Sequence, residues 1–296
     1  MDDQRIQELF SRIKIWQKGD ERAPHKPLLL LYALGRLQRG QQWLPYAEVK
    51  ADVGALLQEF GPPRTTSPLY PFRYLESDGF WRYNPSRPEK FLERELARGN
   101  ISGGFTPEVY QALVRNPVLL RTVTQDLLDK HFPPSLHEDI LDAVGLDLEL
   151  VHEPKQTKDK RTRDPSFRDR ILQAYEYRCA VCGFNMMLGT VPVALEAAHI
   201  KWHQFGGPDL EENGLALCSL HHKLFDRGAF TLHLQEERYV LRVSKLAHGS
   251  GGFEEWLLRY HDQHLRQPQS PDYVPNFEYT NWHVREVFKG TARYSG

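Results

Sequence analysis

Residues 195–228 read LEAAHIKWHQFGGPDLEENGLALCSLHHKLFDRG. This stretch holds four of the chain's 13 histidines and one of its 3 cysteines. VALEAAHI reads as a strand ending at His199, and NGLAL as the strand that follows. A helix beginning near Cys218 and running through SLHHKLFD turns by roughly 100° per residue, so His221 joins Cys218 on one side while His222 faces another. Asp226, four residues after His222, shares that second face. Strand, loop, strand and helix then gather His199, Asn213, His222 and Asp226. A base for water, a polar group to orient it and N/O ligands for one divalent ion are what phosphodiester hydrolysis needs.

Working outward, Cys179 and Cys182 form C-x2-C, and Cys218 with His221 forms C-x2-H thirty-six residues beyond Cys182. Two short pairs separated by a loop match the edges of a closed tetrahedral Zn2+ site. All three cysteines fall in this pattern, which argues for thiolate ligands in a reducing compartment and against a disulfide framework. Four protein ligands leave no open position, so such a zinc is expected to hold the module together and not to catalyse.

The rest of the chain bounds the setting. Its 296 residues allow two domains. Lys+Arg 38 against Asp+Glu 39 announces no nucleic-acid binder by net charge, so any basic face is local. No apolar run approaches the roughly 18 residues of a membrane span, and MDDQRIQELFSR has no apolar leader core. A soluble cytoplasmic protein without membrane partners is the expectation.

The pattern predicts an amphipathic helix over 2–18, with Ile6, Leu9, Phe10, Ile13 and Trp16 on one face. It is expected to pack on a helix in HKPLLLLYALGRLQRG, opened by Pro27 and stopped by Gly40. Residues 61–90, rich in Pro and aromatics, read as loops with short strands around a turn at Asp78-Gly79. Helices over about 107–130 and 135–144 close an α+β domain, residues 1–150. A basic linker, 151–166, includes most of a run with seven Lys/Arg against three Asp in KQTKDKRTRDPSFRDR. It is a solvated tether, or a phosphate-contacting one if both flanking domains bind DNA. The second domain, 167–296, is expected to add a hairpin in AFTLHLQEERYVLRVSK and a helix in FEEWLLRYHDQHL. Its tail, PDYVPNFEYTNWHVREVFKG, folds back on the domain or onto a second subunit.

His199, Asn213 and His222, spaced by fourteen and nine residues inside EAAHI and NGLALCSLHHKLFDRG with the Cys3His frame, resemble the McrA-type HNH endonucleases of ββα-metal fold. The resemblance covers about 170–245. It implies that His199 is the general base, that Asn213 orients His199 or its loop, and that His222 binds the catalytic metal, Mg2+ or Mn2+. Asp226 falls where relatives place a further ligand, and Glu196 matches an acidic position before the first His. Ala198 departs from the Asp or His many relatives carry there, although AAHI is common in the McrA-like branch.

APHKPLLLLYALGRL, SPLYPFRYLESDGFW and RGNISGGF resemble the sulfur-binding domain of phosphorothioate-dependent restriction enzymes, over roughly 1–150. That resemblance implies binding of double-stranded DNA in which sulfur replaces a non-bridging phosphate oxygen. Sulfur is softer and a poorer acceptor than oxygen, so a dry pocket favours it. Tyr70, Pro71 and Phe72 or Tyr74 are the candidate lining; Arg22, His25, Lys26 and Arg98 are candidates for the phosphate charge and a nearby guanine. The function expected is a type IV-like restriction endonuclease in host defence. The alternatives are an HNH nuclease directed to methylated bases and a catalytically lapsed, zinc-stabilised DNA-binding protein. A homodimer is expected, since one HNH centre cuts one strand.

Overall fold

The computed structural model describes residues 2–16, 18–64, 67–148, 164 and 166–293. The chain divides into two units, Met1–Lys155 and Gln156–Gly296. The proposed basic tether lies almost wholly outside the described residues.

In the first unit, Asp2 caps α1 (Asp3–Ser11) by accepting from Arg5 N at 2.8 Å. The helix is shorter than the 2–18 pattern suggested: Ile13 is still buried, but Trp16 lies beyond the helix and is 59% exposed. It packs on α7, defined below, and not chiefly on the apolar helix after it. That helix, α2 (His25–Gln38), buries 11 of its 14 residues, as expected for an element apolar all round. It is followed by β1 (Leu44–Pro45), α3 (Tyr46–Phe60), α4 (Leu69–Tyr74), β2 (Trp81–Asn84), α5 (Glu93–Arg98) and β3 (Ser102–Phe105). Next come α6 (Pro107–Arg115), α7 (Pro117–His131) and α8 (His137–Val144).

The strands form an antiparallel sheet in the order β1-β3-β2. A Cβ on Gly103 would lie 2.7 Å from both the Phe72 ring and Trp81 Nε1, so glycine lets the aromatic core close over β3. Residues 69–74, expected as loop, are helical instead, and Phe72 points into this core. The turn at Asp78-Gly79 is present, with Gly79 at φ +88°. The single helix expected over 107–130 breaks at Asn116, whose side chain caps α7 through Leu119 N, with Pro117 as the first helical residue.

The second unit begins with α9 (Phe167–Ala174) and the short pair β4 (Met187–Leu188) and β5 (Val191–Pro192). Then come β6 (Leu195–His199), β7 (Gly214–Cys218) and α10 (Ser219–Asp226), the predicted strand–loop–strand–helix. β6 and β7 are antiparallel, with His199 opposite Gly214 and Glu196 opposite Leu217. The hairpin β8 (Phe230–Gln235) and β9 (Arg238–Val243) turns through Glu236 and Glu237, both at positive φ. The helix expected over 253–265 is only α11 (Gly251–Trp256) with a 3-10 turn, Leu258–Tyr260; the chain then pairs with β9. In the tail, α12 (Phe277–Glu286) packs back on β8. His283 makes contacts of 2.9 Å to Thr231 Oγ1 and 3.1 Å to Phe225 O.

Both units mix helices with small antiparallel sheets, the α+β class expected. No helix among the described residues is long and apolar enough to cross a membrane.

Candidate nuclease centre and DNA-reading surface

The ligand atoms of Cys179, Cys182, Cys218 and His221 all lie within 4.8 Å of one another. Cys182 Sγ to Cys218 Sγ is 3.9 Å, and His221 Nδ1 lies 3.7 Å from Cys179 Sγ and 3.1 Å from Cys218 Sγ. A tetrahedron with Zn–S bonds of about 2.3 Å has S···S edges of about 3.8 Å. His221 Nε2 donates to Trp256 O at 2.9 Å, which leaves Nδ1 as the metal-facing nitrogen. Crowding also points to a cation. Contacts with Cys179 and Cys218 pull the Cys182 thiol down to about 3, while contacts with Cys182 and Cys218 push Cys179 far up, so the sulfurs cannot all ionise alone. The cluster is compatible with a zinc site.

His199 closes β6 with its ring stacked on Phe167 of α9, centroids 4.2 Å apart. The space for that packing comes from Gly214 opposite, where a Cβ would strike Ile171 and crowd Phe167. Nε2 of His199 meets Asp209 Oδ1 at 2.7 Å. Burial works against the Asp209 carboxylate, but the Asp164 amide and His199 hold its pKa below the ordinary value. Arg170, also on α9, donates to Asp209 O at 2.7 Å and to Glu211 at 2.8 Å. Asn213 is fully buried: Oδ1 accepts from Lys201 N at 2.8 Å, and Nδ2 donates to Lys201 O and Pro208 O at 3.0 and 2.9 Å. Its side chain thus ties the two ends of the loop between β6 and β7.

His222 sits between two carboxylates. Its Nδ1 is 2.6 Å from Glu196 Oε2 and its Nε2 is 3.2 Å from Asp226 Oδ2. Burial alone would lower its pKa, but Asp226 and Glu196 overcome that and raise it to about 10. The His222 hydrogen bond in turn helps bring Glu196 down to about 2. Asp226 Oδ1 accepts from Trp202 Nε1 at 2.9 Å. Glu196 and Ala198 share a face of β6 by strand alternation, so Glu196 supplies a carboxylate where Ala198 has none. The O/N donors of Glu196, His222 and Asp226 suit a hard or borderline divalent cation.

On the first unit, the candidates Arg22, Phe72 and Lys26 are buried. Arg22 is 2% exposed and donates to Phe60 O at 2.7 Å, which ties it to the end of α3. Phe72 is 0% exposed and belongs to the core. Lys26 is buried in an ion pair with Asp78 at 2.6 Å, and Asp78 also accepts from Lys14 N, so that cation is already neutralised. Tyr70 (62% exposed) and Tyr74 (48%) remain, one helical turn apart on α4. Pro71 is buried between them, while His25 is half-buried, its pKa lowered by burial and Arg64. Arg98 is exposed at the end of α5. Sequence reasoning missed Arg73, whose exposed guanidinium lies over the rings of Tyr74 and Phe91 at 5.2 and 5.3 Å.

Residues 3–149 match the family described as ScoMcrA-like, DNA sulfur-binding domain, and residues 179–233 match HNH endonuclease. The chain therefore joins a domain of the first family to an endonuclease domain of the second. Similar solved structures include the sulfur-binding domain of SprMcrA complexed with phosphorothioated DNA, at 23% identity and TM-score 0.43, covering 49% of this chain and 95% of that one. The corresponding ScoMcrA complex has 21% identity and TM-score 0.41, covering 47% and 94%. The type IV phosphorothioation-dependent restriction endonuclease ScoMcrA has 19% identity and TM-score 0.39, covering 47% of this chain and 32% of its own. No curated protein matches the chain.

Proposed function

We propose that this chain is a restriction endonuclease that recognises phosphorothioate-modified duplex DNA through its first domain and hydrolyses a phosphodiester with its second. The observation that carries the reading is the presence of both family matches in one chain. Tyr70 and Tyr74, with Pro71 packed beneath them, offer the apolar surface that suits sulfur; His25, Arg73 and Arg98 supply polar and cationic contacts to the neighbouring phosphate and base.

In the second domain, Asp209 keeps the proton on Nε2 of His199, so Nδ1 takes the proton of the attacking water. Phe167 fixes the ring plane and Asn213 fixes the loop that carries Asp209. His222 and Asp226, joined by Glu196, would hold one Mg2+ or Mn2+. Such an ion, when bound, neutralises charge building on the phosphate and leaving oxygen. Zinc at Cys179, Cys182, Cys218 and His221 is structural. A homodimer would present one such centre to each strand.

The test is cleavage of matched duplexes that are unmodified, methylated or phosphorothioated, with Mg2+, Mn2+ or EDTA. Cleavage confined to phosphorothioated DNA and lost in EDTA is expected. Cleavage of methylated DNA would move the specificity to a modified base, and no cleavage of any duplex would overturn the enzyme reading.

A further inference from the structure

A cleft of about 510 Å3 opens beside the zinc knuckle, lined by Cys182 and Gly183 on one side and by Arg238, His264 and Arg266 on the other. After the 3-10 turn at 258–260 the chain runs antiparallel to β9: Leu241 N donates to Gln263 O and Leu265 N to Tyr239 O, with Val240 opposite His264. Continued by one more alternate pair, that register sets Arg238 opposite Arg266. Both are exposed, and like charges directly across a ladder are destabilising.

Arg266 N donates to Ala180 O at 2.9 Å, which fixes its side of the cleft. The Arg266 guanidinium lies against Gly183, 3.7 Å from where a Cβ would stand. Among the described residues, neither guanidinium nor the His264 ring makes an ion pair, and the acids of the hairpin turn, Glu236 and Glu237, do not reach them. A Cys3His zinc centre carries one net negative charge, which offsets one guanidinium at most.

We propose that Arg238, His264 and Arg266 form a phosphate-binding cleft that receives the sugar-phosphate backbone of the duplex, away from the scissile bond. A bridging phosphate relieves the Arg238–Arg266 repulsion and gives the endonuclease domain a sequence-independent grip. This rests on the reading of the chain as a DNA-cleaving enzyme.

The experiment compares the full-length chain with its R238Q/R266Q double variant, measuring duplex affinity against salt for unmodified and phosphorothioated DNA. Each phosphate neutralised contributes about 0.9 to the log–log slope, so the variant, which gives up the one bridged phosphate, is expected to lose about 0.9 and to weaken on both duplexes in parallel. An unchanged slope overturns the cleft. A wild-type chain without preference for phosphorothioated duplex would sink the sulfur reading and leave the slope comparison standing. Should the variant fail to fold, phenylglyoxal modification of the wild-type chain decides: bound duplex should protect Arg238 and Arg266, and equal labelling with and without DNA refutes the proposal.

Discussion

Glu196 and His222 are joined by a 2.6 Å contact between Oε2 and Nδ1, while the other nitrogen of the same imidazole faces Asp226. On the proposed metal-binding reading, Glu196 and Asp226 would turn with His222 towards the ion as its ligands, and the proton they hold on the imidazole would leave. Glu196→Gln should raise the Mg2+ or Mn2+ concentration needed for half-maximal cleavage by at least about tenfold, equivalent to ~1.4 kcal/mol, with duplex affinity measured in EDTA unchanged. Metal titration of the cleavage rate checks this, and an unaltered metal requirement would remove Glu196 from the ligand set.

Replacing His199 by Ala should cut cleavage by about 10²–10⁴-fold, the usual range for a general base, while duplex binding holds. Asp209→Asn should lower the rate by a smaller factor in the same direction, because it loosens the tautomer and not the base itself. Single-turnover rates distinguish the two; wild-type rates in the His199 variant would take it out of the mechanism.

Zinc removal should unfold the second unit alone. Structural zinc contributes about 10–16 kcal/mol to small metal modules, more than the ~5–15 kcal/mol by which most domains are stable. Cys182→Ala, or a strong chelator, should therefore abolish the melting transition of the second unit and leave that of residues 1–150. A folded, active Cys182 variant lacking zinc would contradict the assignment.

The first unit should lose stability in acid through His131. This side chain is buried on α7 with Nε2 unsatisfied, and burial, aided by Lys130, pushes its pKa down to about 3 from 6.5. Between those values the unfolded chain binds the proton and the folded one does not. The stabilisation is thus present above pH 6.5 and falls by up to ~1.4 kcal/mol per pH unit as pH drops towards 3. Denaturant melts at pH 7.5 and 5.5 should show a decline that His131→Leu reduces; identical slopes would assign acid sensitivity elsewhere.

Tyr70→Ala should shrink the preference for phosphorothioated over unmodified duplex by about tenfold, ~1.4 kcal/mol, through loss of apolar surface at an exposed site. Binding of unmodified DNA should change less. Competition titrations read the ratio directly, and an undiminished ratio would place the sulfur elsewhere.

The strand ending at His199, the strand that follows Asn213, the helix carrying His222 and the Cys3His cluster were legible because alternation, Cys/His spacing and helical phase are all written in local sequence. Asp209 was not: it sits in a loop with no periodicity, and only the closing of that loop by Asn213 and Arg170 brings it to His199. The Trp256 carbonyl on His221 was invisible because any residue can offer a backbone oxygen. In the first unit, the prolines and aromatics of residues 61–90 read as loop. Pro71 instead occupies the first turn of α4, where its missing N–H costs nothing, and the aromatic core takes Phe72 inward. The burial of Arg22 and Lys26 was not legible because burial of a cation depends on distant partners, Phe60 O and Asp78.

Phe167 and Arg170 precede the family-matched segment 179–233, and Trp256 follows it, yet the first two brace His199 and Asp209 and the third orients His221. The signature is therefore smaller than the working unit. Grafted onto another scaffold, residues 179–233 would keep the recognisable letters while losing the ring stacked on His199, the guanidinium bound to the Asp209 carbonyl and the carbonyl behind His221. A transplantable cutting module from this protein has to start ahead of α9 and extend past α11.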